Sequence, residues 1–267
     1  VNAISGDMLK HIQADYFQAA AQEAGLPLCS GCQVLSANRI NQDLDFIKGE
    51  LGDIKDNAEI VSKLITHCAL DDAEGVLITE GKRSAARKST VEFGWLVGIP
   101  DKTRTESYFH VKFDQGRGQG AGSEDGSNLG QNIFYRPASS GVYALVMNVE
   151  ASRIGFNDVS RAYVIEEVER KKRLNALLKS VTFTLLSPKG AHRNTQFPHI
   201  VCVEGVVSVS WSTVPAPTAS PLNAKYKEEV KAISEQINRF DSDQVETFIF
   251  SSQSELASIL VDLVEQL

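Results

Sequence analysis

Residues 188–199, which read P-K-G-A-H-R-N-T-Q-F-P-H, separate two apolar stretches and decide how the second half of the chain is interpreted. The preceding run V-T-F-T-L-L (residues 181–186) and the following alternating run I-V-C-V-E-G-V-V-S-V-S-W (residues 200–211) both indicate strands. The segment between them is therefore predicted to connect two strands, and its two prolines and its glycine favour a turn-rich loop. Its polar and cationic side chains could bind phosphate or could simply be solvated.

The composition is that of a folded protein with a sizeable core. The chain has 267 residues, 42% of them hydrophobic, which suffices for one elaborated domain or two small ones. Its four cysteines do not make the disulfide framework of a small secreted protein, which favours a reducing, cytoplasmic location. No apolar run is long enough for a membrane span. The chain begins with V-N-A-I rather than with methionine, and we expect that a first strand is missing.

Charge is distributed unevenly along the chain. The formal net charge of −7 by itself argues against nucleic acid as a partner. Two stretches are nevertheless basic, since residues 82–112 hold seven basic and three acidic residues, and residues 161–193 hold eight and three. Because phosphate attraction is screened beyond about 8 Å at physiological salt, the local balance matters more than the total. An acidic chain of this kind can still present a cationic groove.

Helix signals are clearest at the two ends of the chain. Ser5 is predicted to cap a first helix that stops at Gly25. The basic cluster R-K-K-R, residues 170–173, falls on the solvated flank of a second predicted helix. Amphipathic patterns and capping signals predict this second helix over residues 157–178 and further helices at residues 222–237 and from residue 252 onwards.

The strand signals complete an α+β pattern. Strands are predicted over residues 90–99, 108–113 and 139–149, with a turn at Pro100 between the first two. Residues 26–89 resemble a helical or irregular insertion, and residues 114–132 a flexible glycine-rich loop. That loop lacks the spacing of a phosphate-binding motif, and no cofactor is expected. The order of elements can be reduced to a ferredoxin-like split β-α-β with large insertions.

Four stretches in a fixed order resemble the DevR-like backbone subunits of CRISPR type I Cascade complexes. They are S-G-D-M-L-K-H (5–11), I-F-Y-R-P-A-S-S-G-V-Y-A-L-V (133–146), I-G-F-N-D (154–158) and the loop at 188–199. The resemblance implies one elaborated RNA-recognition (RRM-like) domain over residues 1–267, shaped like a hand with palm, fingers and thumb. It also implies that copies of the chain polymerise into a helical filament along a guide RNA (crRNA) and, with other Cascade subunits, present it to target DNA in antiviral defence. The thumb would correspond to residues around 116–134.

A protein that carries a guide RNA must bind its backbone, because the base edges have to stay free to pair with the target. Cations and backbone amides suffice for that task. Lys10 and His11, near the start of the first helix, are the first phosphate candidates. The full set of candidate RNA-binding residues is Lys10, His11, Arg39, Arg83, Lys88, Arg193 and Gln196, with Arg87 in the same run as Arg83. A solvated surface position is the alternative for the members of the charged run.

A metal site is a second possibility that the sequence leaves open. Cys29-x-x-Cys32 has the spacing of zinc ligands, and Cys68 with the adjacent His67 could complete a site on the insertion. A structural zinc ion would stabilise the insertion without supplying chemistry. Isolated thiols are the other interpretation of the same residues.

Two further functions compete with guide binding. Backbone subunits of type III complexes cut target RNA with an acidic residue, which makes Asp7, Asp71 and Asp72 candidates for a metal-dependent ribonuclease. Asp7 is better explained by the helix dipole and the Asp71-Asp72 pair by a solvated turn, so we expect no catalysis. A DNA-binding or scaffold protein is the third candidate, although no helix-turn-helix spacing is visible.

Overall fold

The computed structural model describes residues 2–113, 131–190, 196–240 and 244–266. Helices and small antiparallel sheets alternate in them, which confirms the predicted α+β class. The helices are α1 (Gly6–Glu23), α2 (Ser30–Gln33), α3 (Asn57–His67), α4 (Ala69–Glu74), α5 (Glu167–Leu186), α6 (Tyr226–Ile237) and α7 (Gln253–Gln266). The strands are β1 (Ala3–Ile4), β2 (Val76–Ile78), β3 (Ala85–Arg87), β4 (Val91–Phe93), β5 (Leu96–Phe113), β6 (Gln131–Ala144), β7 (Met147–Val149), β8 (Phe156–Asn157), β9 (Ala162–Tyr163), β10 (Gly205–Ser210) and β11 (Val245–Phe250).

The sheets of the described chain are small. One has three strands in the order β1-β5-β6, and four have two strands each: β2-β3, β4-β7, β8-β9 and β10-β11. The ferredoxin-like palm that the resemblance implies therefore stays a prediction. In the described residues, no helix combines the length and the apolarity that crossing a bilayer requires.

The chain divides into two compact units. The described part of the first consists of residues 2–3, 96–113 and 131–144, and it is built on a long antiparallel ribbon of β5 and β6. The predicted turn at Pro100 is wrong, because β5 continues through this residue with a shift in register between Gly98 and Thr103.

Gly141 permits the close pairing of the two ribbon strands. Its φ is +140°, a conformation that side-chain-bearing residues rarely adopt. A Cβ atom at this position would collide with the carbonyl oxygen of Lys102. The glycine of the P-A-S-S-G-V-Y motif is thus required by the backbone of the ribbon.

The second unit is organised around a large apolar core. Its N-terminal helix α1 begins and ends where predicted, because the Ser5 hydroxyl accepts a hydrogen bond from the amide of Met8 (3.3 Å) and Gly25 follows the helix with φ +65°. Gly6 is buried, and a Cβ there would collide with the carbonyl of Phe93. Residues 26–89, predicted as an insertion, contribute most of the core's side chains, among them Ile40, Phe46, Leu51, Ile60, Leu64 and Ile65.

Helix α5 differs from its prediction at both ends. It begins at Glu167, whereas residues 156–163 include the short strands β8 and β9. It continues to Leu186, so residues 181–186 are helical and the loop at 188–199 does not connect two strands. Val181 and Thr184 lie buried on the same side as Leu177, and this tertiary packing outweighs the β-propensity of V-T-F-T-L-L.

The second face of α5 packs on a smaller core near the C-terminus. There the β10-β11 sheet and α7 enclose Phe250, Leu256, Leu260 and Leu263. The predicted capping box of α7 is confirmed, since the Glu255 amide donates to the Ser252 hydroxyl (3.2 Å) and the Glu255 carboxylate accepts from the Ser251 amide (2.7 Å).

A buried ion-pair network holds α4 in the centre of the second unit. All six residues of α4 are buried, although three of them are acidic. The carboxylate of Asp72 accepts hydrogen bonds from Arg87 (2.7 Å) and Arg173 (2.9 Å), and both guanidinium groups are fully buried. The prediction of a solvated turn for Asp71-Asp72 is therefore wrong, as is the solvated position predicted for Arg173.

The I-G-F-N-D motif completes this network. The amide of Gly155 donates to Asp72 (2.9 Å), and Asp158 accepts from Arg87 (3.0 Å) and from Arg153 (2.6 Å). The side-chain amide of Asn157 donates to the carbonyl of Ala58 (2.8 Å). One of the four stretches that carry the resemblance therefore has a structural role in positioning the arginines around α4.

We expect the substitution Arg173→Gln to destabilise the protein by about 3 kcal/mol, because it removes one partner of a buried charge. Urea denaturation would measure the change in the free energy of unfolding. Lys172→Gln, at the exposed neighbouring position, is the matched control and should change stability by no more than about 0.5 kcal/mol. Equal stability of the two variants would contradict a role for the network in holding α4.

Candidate nucleic-acid interface

Lys10 and Arg39 converge on the chain segment that leaves α4. The Lys10 ammonium donates to the carbonyl of Glu74 (2.9 Å), and the Arg39 guanidinium donates to the carbonyl of Gly75 (2.9 Å). Burial lowers the pKa of Lys10 from its ordinary value, with an opposing contribution from Glu74. His11, the next candidate along α1, is exposed. The structure thus brings two of the predicted RNA-binding residues together, each with part of its donors already bound to backbone.

The candidates in the basic run after β2 have different environments. Arg83 is buried and donates to the carbonyls of Gly52, Ile54 (3.1 Å) and Glu80 (3.2 Å), which ties down the preceding turn. Lys88 is exposed and lies 3.5 Å from Glu92. Their RNA-binding role stays a prediction, and Lys88 has the accessible ammonium.

The loop at 188–199 is described in part. Gln196 is exposed, while Arg193 lies outside the described residues. Lys189, in the same loop, forms an ion pair with Asp15 and stands 4.2 Å from the centre of the Tyr16 ring. This lysine therefore anchors the start of the loop to α1.

The β5-β6 ribbon carries exposed aromatic side chains that were not among the residues predicted from the sequence to bind RNA. Tyr108, Phe109 and Tyr135 are between 51% and 69% exposed, and the Tyr108 side chain belongs to the opposite face of the ribbon from the other two. Phe109 pairs directly with Tyr135 across the strands, with ring centres 5.9 Å apart. The successive aromatic residues Tyr108 and Phe109 indicate from the sequence that both faces of the strand carry aromatic rings. The sequence does not indicate that both faces are exposed to solvent.

The opposite face of the ribbon combines aromatic rings with a cation. His110 stacks on Phe134 at 5.7 Å, and the Arg136 guanidinium lies 5.1 Å from the centre of the Phe134 ring. Stacking platforms next to cations are the features with which proteins hold single-stranded nucleic acid without reading its sequence. The described residues of the ribbon carry both of these features.

Glu74 is buried, and neither of its carboxylate oxygens has a hydrogen-bond partner in good geometry, although the Gln13 side chain lies near enough to lower its pKa. Burial raises its pKa to about 7, and the nearby cations Lys10 and Arg39 oppose this shift without cancelling it. The uncharged acid is therefore the form that the folded protein favours at mildly acidic pH.

Asp71, the remaining acidic residue of α4, faces three cysteines. Oδ2 of Asp71 lies 3.3 Å from Sγ of Cys29 and 3.3 Å from Sγ of Cys32. With Sγ of Cys68 these atoms lie within 4.8 Å of one another, and all four residues are buried. Burial raises the pKa of Cys68 and holds that of Asp71 well above its usual range.

The predicted partner His67 is not part of this group. Its ring contacts Asp43 (3.3 Å) and Glu50 (3.1 Å) and packs against Phe46. The sequence predicted that Cys29, Cys32 and Cys68 could form one site. Asp71 joins them because it lies in the first turn of α4, directly after Cys68. The cysteines and Asp71 form the sole set of this kind in the described parts of the chain, and neither Asp7 nor Asp72 belongs to it.

Comparison with known families assigns the chain to a class. A family model for CRISPR-associated proteins matches residues 1–231, so the chain is a CRISPR-associated protein. The chain belongs to the family described as "CRISPR-associated negative auto-regulator DevR/Csa2". This confirms the resemblance seen in the sequence.

The other comparisons add little to this assignment. No curated protein matches the chain. Among solved structures, the chain is similar to a chain of a "CRISPR RNA-guided surveillance complex, pre-nicking", with 14% identity and a TM-score of 0.40. The match covers 70% of this chain and 49% of the other, so it spans about half the length of that chain.

We expect Glu74→Gln to remove a pH-dependent part of the stability. Because the folded-state pKa of about 7 lies above the ordinary value of 4.5, the stability contributed by neutral Glu74 is complete below the ordinary value and is lost as the pH rises through 7. The free energy of unfolding of wild type minus that of the variant should therefore fall by on the order of 3 kcal/mol between about pH 4.5 and about pH 8.

Urea denaturation at the two pH values would measure this difference. Glu228→Gln, at an exposed position of α6, is the control and should follow the wild-type pH dependence. A difference between wild type and Glu74→Gln that does not change with pH would show that Glu74 titrates normally in the folded protein.

Proposed function

We propose that the chain is a backbone subunit of a CRISPR Cascade complex, which binds the guide RNA without sequence preference and self-associates along it. The observation that carries the proposal is the aromatic and cationic surface of the β5-β6 ribbon in a member of a CRISPR-associated family. Target DNA and other Cascade subunits are the further partners in this proposal. The RRM-like palm and a thumb around residues 116–134, most of which lie outside the described residues, belong to it as well.

The chemistry of the ribbon suits a guide RNA better than duplex DNA. Phe109 and Tyr135 can stack on unpaired bases, and every base offers a π-face, so stacking does not select a sequence. Stacking also leaves the Watson–Crick edges available for a target strand. Arg136 can add a contact to phosphate, which would make binding to the ribbon dependent on salt. In the second unit, the exposed side chains of Lys88 and His11 offer hydrogen-bond donors to phosphate.

We also propose that the subunit is not an enzyme. A ribonuclease site would need carboxylates free to hold a hard divalent cation. Asp72 is instead neutralised by two arginines, and Asp71 faces soft sulfur atoms. Asp7 is exposed in the first turn of α1, where the helix dipole favours a negative charge. This arrangement favours a structural role for the α4 carboxylates.

The first experiment is to purify the protein from cells that contain its CRISPR array. We expect a large multi-subunit species on size exclusion, an absorbance ratio at 260 and 280 nm typical of a nucleoprotein, and array-derived RNA on sequencing. A nucleic-acid-free monomer would contradict the proposal. Preference for duplex DNA over single-stranded RNA at matched salt would favour the regulator that the family description suggests.

The ribbon can be tested by the double substitution Phe109→Ala/Tyr135→Ala. Loss of base stacking costs about 1–3 kcal/mol per base, so we expect the affinity for single-stranded RNA to fall by roughly tenfold or more. The ribbon backbone should persist, because its pairing is made by main-chain hydrogen bonds. Fluorescence anisotropy with RNAs of different sequence would measure the affinities.

A matched control is Phe240→Ala, which removes an aromatic ring that is 86% exposed in the second unit. This variant should bind RNA as the wild type does. Equal affinities of the control and the ribbon variant would exclude the ribbon as the stacking surface.

A further inference from the structure

The buried group formed by Cys29, Cys32, Cys68 and Asp71 has the geometry of a metal site. The cysteines come from two separate segments, one at the start of α2 and the other at the junction of α3 and α4. An ideal tetrahedron with Zn–S bonds of about 2.3 Å and a Zn–O bond of about 2.1 Å separates its ligand atoms by about 3.6–3.8 Å. The 3.3 Å separations between Asp71 Oδ2 and the sulfur atoms of Cys29 and Cys32 lie close to this value.

The burial of the group argues for a cation at its centre. Asp71 is completely buried, and its Oδ1 atom accepts no hydrogen bond. Such a carboxyl group is held in its protonated form unless a positive charge compensates the ionised one. Arg39 supplies part of that charge, since its guanidinium lies 3.9 Å from Oδ1, and Oδ2 accepts hydrogen bonds from the thiols of Cys29 and Cys32 (3.3 Å each), which are weak donors.

We propose that Cys29, Cys32, Cys68 and Asp71 bind one structural zinc ion. Three sulfur ligands select a soft or borderline metal over magnesium or calcium, and a closed set of four protein ligands leaves no position for substrate. Backbone amides support the sulfur atoms, since those of Cys32 and Asp71 donate to Sγ of Cys29 (3.4 Å) and of Cys68 (3.5 Å). This site is independent of the proposed RNA-binding function.

Zinc would fix α4 relative to the segment that contains α2. The same helix carries Asp72, which binds the two buried arginines, and Glu74, whose carbonyl accepts from Lys10. Arg39, whose guanidinium contacts both Asp71 and the carbonyl of Gly75, would be held by the loaded site. Binding releases the thiol protons of the cysteines to solvent and involves no oxidation.

The first test is made on the wild-type full chain, purified under reducing conditions from zinc-supplemented medium. We expect about one zinc per chain by elemental analysis. After removal of zinc by a chelator, Co²⁺ should bind with the same stoichiometry and give sulfur-to-metal charge-transfer bands and the visible bands of a tetrahedral centre. Failure of the reduced protein to take up either metal would overturn the proposal.

Variants assign the ligands. Cys29→Ser/Cys32→Ser should lose zinc at least tenfold relative to wild type, whereas Cys202→Ser, at the remaining cysteine of the chain, should retain it. Chelation should lower the urea midpoint of wild type and of Cys202→Ser. Zinc retained in full by the double variant would refute the site. If the double variant does not fold, the cobalt titration of the wild type decides.

Discussion

The burial of Asp72 between Arg87 and Arg173 is the interaction on which the rest of the second unit depends. Two guanidinium groups and the amide of Gly155 compensate a charge that could not otherwise lie inside the protein. Each partner comes from a distant part of the chain: β3, α5 and the I-G-F-N-D motif. The network therefore fixes the positions of three elements around one short helix.

Helix α4 organises three different environments because its successive side chains point in different directions. Asp71 faces the cysteines, Asp72 faces the arginines, and Glu74 lies near Lys10 of α1. A helix of six residues is too short to be stable by itself, so these contacts hold it. The contacts differ in their chemistry. Asp71 belongs to a proposed metal site, Asp72 forms ion pairs, and Glu74 is a carboxyl group whose pKa is raised by burial.

The proposed RNA-binding surface has a different physical basis. The ribbon of β5 and β6 keeps its shape through backbone pairing, so its side chains do not need to form a core. Aromatic rings at Phe109 and Tyr135 therefore remain available for a ligand. In the second unit, by contrast, several of the predicted phosphate contacts are engaged with the protein's own backbone, as for Lys10, Arg39 and Arg83.

The sequence was sufficient to predict features that depend on contacts between neighbouring residues. The cap at Ser5, the stop at Gly25 and the capping box of α7 depend on neighbouring residues, and the sequence predicted each of them correctly. The helical state of residues 181–186 depends on packing against the core, and the sequence prediction of a strand there was wrong. Periodicity is ambiguous for such short apolar runs until their neighbours are known.

The sequence by itself determined the α+β class, the CRISPR-associated family and the Cys29-x-x-Cys32 spacing. Only the tertiary structure decided that Asp71, and not His67, joins the cysteines, and that Arg87 and Arg173 are buried rather than solvated. Composition and spacing report which groups a chain possesses. Which of them lose their water, and which partner compensates for that loss, depends on contacts between residues far apart in sequence.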